Sequence, residues 1–148
     1  MKPETTESPT VLTRKGTCIE FFSAYQDHDY QRMVSLCTPD AGVEFIPLEE
    51  NGKGRVAELG KNLWALLMDC FPDIDNTIDT FTTDGDDVTC KVSIFGTQAK
   101  DFPGVPSKGL RFESDHIFIF RFDEADKITG ISINWNHPDF CRQLGVNP

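Results

Sequence analysis

Three histidines, a tyrosine at position 25 and scattered carboxylates are the groups in this 148-residue chain that could move a proton. His116 lies in Ser114-Asp115-His116-Ile117-Phe118-Ile119-Phe120, an imidazole inside an apolar, Phe-rich run. An unperturbed imidazole titrates near pH ~6.5, so it can take or give a proton at neutral pH. The competing role is a core or rim histidine satisfied by its neighbours. Tyr25 can donate a hydrogen bond from the first helical segment, or simply pack at a rim. Glu44 falls in a short apolar strand. A buried, unpaired carboxylate is costly, so Glu44 is either exposed or functional. Asp115 alternates to the side opposite His116, so the two are not a dyad despite their adjacency.

Other chemistries find little support. His28, His116 and His137 lack ligand spacing, which argues against a metal site. His137 follows Trp135-Asn136 at the rim of any pocket the sheet would form, precedes Pro138 and reads as part of a turn. There is no G-x-S-x-G and no Gly-rich phosphate loop; Gly104 in Pro103-Gly104-Val105-Pro106 reads as turn chemistry. The net charge is −10, with no basic patch, which argues against nucleic acid and anionic membranes as partners. The five cysteines contain no CxxC pair and read as reduced and buried, favouring the cytoplasm. No apolar run reaches a membrane span, and the polar, acidic N-terminus lacks a secretory core.

The elements that must position these groups follow from periodicity. Residues 1–8 read as a disordered tail and 9–148 as one domain. Ser8 and Pro9 open a helix to about Gln26. Asp29 caps a second helix carrying Met33, Val34, Leu36 and Cys37, ended by Thr38-Pro39-Asp40. Val43 to Pro47 reads as a strand, Asn51 to Gly54 as a loop, and Val56 to Cys70 as a third helix. The period then becomes two, with strands expected at 77–83, 88–98, 110–122 and 127–136. Helices first and long hairpin-linked strands after is an α+β pattern.

Alternation places Cys90, Val92, His116, Phe118, Phe120, Ile131, Ile133 and Trp135 on one concave sheet surface. A helix stripe with Phe22, Leu63, Trp64 and Leu67 would cover it. The set is either plain core or the wall of an apolar cavity; bulky rings and a central His116 point to a cavity.

Three segments resemble one family. They are Phe71-Pro72-Asp73-Ile74, then Phe95-Gly96-Thr97-Gln98 with Asp101 to Gly109, and then Ile128 to Trp135 with Arg142-Gln143-Leu144-Gly145. Together they resemble the SnoaL-like polyketide cyclases of the nuclear transport factor 2-like superfamily. The resemblance implies a cone-shaped barrel of strongly bent, mostly antiparallel sheet on three N-terminal helices. It also implies a homodimer across the sheet face, no metal and no organic cofactor. Cyclases of this family use a carboxylate to take a carbon-bound proton and a histidine to hold the enolate. Carried over by position, the histidine becomes Phe118 and the aspartate Ile133, or Asn134 if the last strand slips by one. The residues that related ketosteroid isomerases use fall at Phe21, Phe45 and Phe118. Both proton-transfer sets are therefore replaced.

The sequence thus predicts a cofactor-free cyclase, isomerase or dehydratase acting on a hydrophobic, oxygenated small molecule. His116, Glu44 and Tyr25 are its candidate catalytic groups. The alternatives are a non-catalytic binding module and a dimerisation domain built on Phe95, Ile117 and Ile119.

Overall fold

The computed structural model describes residues 9–146, so the expected tail and the Ser8 cap lie outside it. Helix α1 is Pro9–Gln26 and helix α2 is Tyr30–Ser35. Asp29 caps α2 by accepting from the Arg32 N–H, as the sequence predicts. Strand β1 is Cys37–Phe45, followed by a 3-10 segment Ile46–Gly52 and the short edge strand β2, Lys53–Arg55. A π turn, Val56–Gly60, leads into helix α3, Lys61–Cys70. Strands β3 (Asp75–Asp84), β4 (Asp87–Thr97), β5 (Arg111–Phe122) and β6 (Ile128–Trp135) follow. Helix α4, His137–Gln143, closes the chain.

The fold is α+β. One six-stranded sheet runs β2-β1-β6-β5-β4-β3. Only β1 against β6 is parallel; the other pairings are antiparallel. The sheet curls without closing, because β2 and β3 remain edges. Alternation holds along β4 and β5, where Val88, Cys90, Val92, Ile94, Phe112, His116, Phe118, Phe120 and Phe122 are all buried. Full burial of one such large apolar side chain is worth about 1.5–3 kcal/mol.

Four expectations need correction. The strand expected from Val43 to Pro47 runs instead over Cys37–Phe45, and the loop expected from Asn51 to Gly54 ends the 3-10 segment and opens β2. The second helix stops at Ser35 and Cys37 already belongs to β1. Thr38-Pro39-Asp40 sits where the β1–β6 register shifts between Cys37 and Gly42. Proline, lacking an N–H, is tolerated at such an irregularity. The third helix begins as a π turn, which seats the Trp64 ring against Gly60. The segment from His137, expected to be a turn, is a helix. Asn136 accepts from the Asp139 N–H, and Pro138 occupies the first turn where its missing N–H costs nothing.

Candidate functional site

Two groups of aromatic rings, most of them meeting edge to face, divide the interior. Phe21, Phe22, Phe118 and Phe120 pack with Trp64 in one. Phe71, Phe102, Phe112 and Phe140 form the other. Rings meeting edge to face leave gaps that flat stacks would fill. Against both groups lies a cavity of about 60 Å³. Its floor is buried: Tyr25, Phe45, Trp64, Ile74, Ile94, Phe112, His116, Phe118, Ile133 and Phe140. Its mouth is half-buried: Leu48, Leu63, Leu67, Phe102, Trp135 and His137. No Lys, Arg, Asp or Glu lines it.

His116 projects from β5 and is only 9% exposed. Its Nδ1 lies 3.3 Å from the Ser114 carbonyl oxygen and 3.4 Å from Ser114 Oγ. A carbonyl can only accept, so that contact assigns the neutral ring's proton to Nδ1 and the lone pair to Nε2. Nε2 has no partner among the described residues. Burial pushes the His116 pKa down to about 4, against smaller opposing pulls from Ser114 and Asp115. The ring is therefore neutral at neutral pH. Trp135, its cross-strand neighbour, stacks on it at 5.4 Å and 17°.

Tyr25 reaches the same cavity from α1 and is 2% exposed. Burial pushes its phenol above the ordinary value, so the hydroxyl stays protonated. No described residue hydrogen-bonds to it. Two cavity-lining residues thus carry a polar atom without a hydrogen-bond partner among the described residues, the acceptor His116 Nε2 and the hydroxyl Tyr25 Oη.

Of the other candidates, Trp64, Leu67, Phe118, Ile133 and Trp135 line the cavity. Phe22, Cys90, Val92, Phe120 and Ile131 do not; they are buried in the packed core. Glu44 is removed from the group by strand alternation. Val43 and Phe45 face the core, so Glu44 points to the other side of β1, paired in register with Lys53 and Ser132. Phe118 and Ile133 are direct cross-strand partners, and both face the cavity. Asn134, the alternative position, is exposed and paired with Ile117.

The sequence reading missed Phe45, Leu48, Ile74, Ile94, Phe102, Phe112 and Phe140 as lining residues; His137, expected at the rim, does line the mouth. His137 carried a usable signal, since Asn136 followed by Pro138 and Asp139 is a helix start. It aims the His137 ring back at Trp135, whose Nε1 donates to His137 Nδ1 at 3.2 Å. Among the described residues, no group of three or more His, Cys, Asp or Glu is arranged to hold a metal. The five cysteines are buried and unpaired. No described helix is long and apolar enough to cross a membrane.

The model of the SnoaL-like domain matches residues 19–131. The chain belongs to the SnoaL-like family. A solved structure from Jannaschia Sp. CCS1, provisionally named a SnoaL-like polyketide cyclase, superposes with a TM-score of 0.84 at 19% identity, covering 98% of this chain and 100% of that one. AclR from Streptomyces galilaeus, provisionally named a hydroxylase, gives 0.79 at 21% identity over 93% and 87%. IdmH from Streptomyces antibioticus, provisionally named a polyketide cyclase, gives 0.75 at 22% over 90% and 99%. These identities speak for the fold. Among curated proteins, none matches the sequence. Within this SnoaL-like fold, the cavity offers an imidazole one alternation along β5 from Phe118.

Proposed function

We propose that this SnoaL-like protein is a cofactor-independent cyclase or isomerase whose proton-transfer groups are His116 and Tyr25. The observation that carries the reading is the unpartnered, neutral His116 Nε2 in an apolar cavity that also holds the free Tyr25 hydroxyl. His116 accepts a proton from a carbon next to a carbonyl. Tyr25 donates a hydrogen bond to the oxygen that becomes negative. The imidazolium then returns the proton to a different carbon, or the carbanion adds to a second carbonyl carbon of the substrate, closing a ring, and the proton goes from the imidazolium to the new alkoxide oxygen. The substrate is neutral and largely apolar, because no cationic side chain lines the cavity to meet a phosphate or carboxylate.

A buried base with a low pKa is a weak base in the empty protein. Developing negative charge on the substrate stabilises the imidazolium beside it, which strengthens the base when it is needed. The test is deuterium incorporation into β-tetralone, an apolar enolisable ketone, followed by mass spectrometry in heavy water. His116→Gln should abolish exchange and Tyr25→Phe should reduce it about a hundredfold. Full exchange by a folded His116→Gln protein contradicts the assignment.

A second reading, a binding module for a hydrophobic ligand, is favoured by the Phe118–Ile133 pair, which fills the family's reacting positions with inert side chains. It predicts saturable quenching of the emission of Trp64 and Trp135, both in the cavity wall, by β-tetralone with no exchange.

A further inference from the structure

We propose that His137 is a positioning residue: it pins the Trp135 indole, and through that indole holds the His116 ring at the cavity floor. The proposal rests on His116 being the reactive group and extends that reading to the α4 turn.

Chemistry fixes the state of His137. An indole N–H can only donate, so the Trp135 contact requires a lone pair on His137 Nδ1. The neutral ring then carries its proton on Nε2, which faces Cys141 Sγ at 3.6 Å. Its ring also stacks on Phe140 at 5.8 Å and 20°. Phe140 is buried, and Asn136 and Pro138 set the first turn of α4. Two contacts, with Cys141 and Phe140, therefore hold the imidazole before Trp135 meets it.

Trp135 needs such an anchor. It ends β6 at the mouth and is only half-buried. Its backbone N–H goes to Asn134 Oδ1, and the indole, packed against the edge of the core, has the His137 bond as its polar anchor beside the stack on His116. Without the His137 acceptor, the indole would turn toward solvent and uncover His116. Apart from Trp135, His116 has two long contacts, 3.3 and 3.4 Å to Ser114, and a tilted ring contact with Phe118 at 6.4 Å. The Trp135 stack at 5.4 Å is the closer of its two ring contacts, so the ring orientation leans on the Trp135 face. The chain α4, His137, Trp135, His116 links a surface turn to the cavity floor.

The test uses the full chain with three variants: His137→Leu removes the acceptor, His137→Asn places Oδ1 where Nδ1 lies, and Trp135→Phe assigns the signal. The chain has two tryptophans, so a proton–nitrogen NMR spectrum shows two indole N–H signals. In His137→Leu the Trp135 signal should move upfield and exchange with water at least tenfold faster. In His137→Asn it should return most of the way. For β-tetralone exchange, kcat should fall about tenfold in His137→Leu with KM nearly unchanged, and recover in His137→Asn. An unmoved indole signal in a folded His137→Leu protein overturns the proposal. So does a His137→Asn protein that behaves like His137→Leu. Failure of the His116 reading looks different: the indole result stands, while His116→Gln keeps full exchange.

Discussion

His116 ties the acid stability of this protein to its site. In the unfolded chain a histidine takes up a proton near pH ~6.5. In the folded chain burial holds His116 neutral down to about 4. Between those values the unfolded state binds more protons, so stability must fall as the pH falls. The contribution is fully present above the unfolded value and exhausted below the folded one. At about 1.4 kcal/mol per pH unit, the whole loss is about 3 kcal/mol, with about 2.5 kcal/mol gone by pH ~4.5. For a chain of this size that lowers Tm by roughly 5–10 °C. His116→Gln keeps a similar volume and does not titrate. Urea unfolding of both proteins between pH ~7.5 and ~4.5 gives the difference curve. Carboxylates and His137 are common to both and largely cancel. Wild type should lose about 2.5 kcal/mol relative to the variant across that range. Parallel curves, or a His116 NMR titration centred between pH ~6 and ~7, would refute the burial argument.

Three further outcomes follow from the packing. Arg14 Nε is 2.8 Å from Asp126 Oδ1, its other nitrogens reach the Asp86 and Asp123 carbonyls, and its guanidinium lies over Phe122. Arg14→Met should cost about 1–3 kcal/mol in urea unfolding, since it leaves both hairpin turns untied from α1. At Gly52 a Cβ would collide with the Phe45 carbonyl, so Gly52→Ala should cost about 1–3 kcal/mol. It should also move Phe45 and Leu48, visible as a changed Trp64 emission. Ile117, exposed on the outer sheet face, is our proposed centre of a homodimer. Light scattering at micromolar concentration should give a dimer for wild type and a monomer for Ile117→Lys; a wild-type monomer removes the proposal.

Strands β4 and β5 were legible because each buries a single face. Lys91 marks the outside of β4, and the Phe118–Phe120–Phe122 spacing marks the inside of β5. That pattern set His116 inward with no structural input. Glu44 was ambiguous only while the limits of β1 were unknown; once Val43 and Phe45 are inside, Glu44 must be outside. The loop residues were the hard part. Leu48, Ile74 and Phe102 reach the cavity from turns and from a 3-10 segment, where no period predicts which way a side chain points. Cys90 and Phe120 were over-assigned for the opposite reason. Alternation says which face a residue takes, but not whether that face meets another side chain or a void.

The cavity at rest has room for only a few waters. A void of about 150 Å³ suits a benzene ring, and this one is about 60 Å³. A ring-bearing ligand therefore enters only after Leu48, Leu63, Leu67, Phe102 or Trp135 turn aside. Association then becomes a two-step process. Its observed rate should level off at high ligand concentration, and the plateau measures how often the mouth opens rather than how fast ligand arrives.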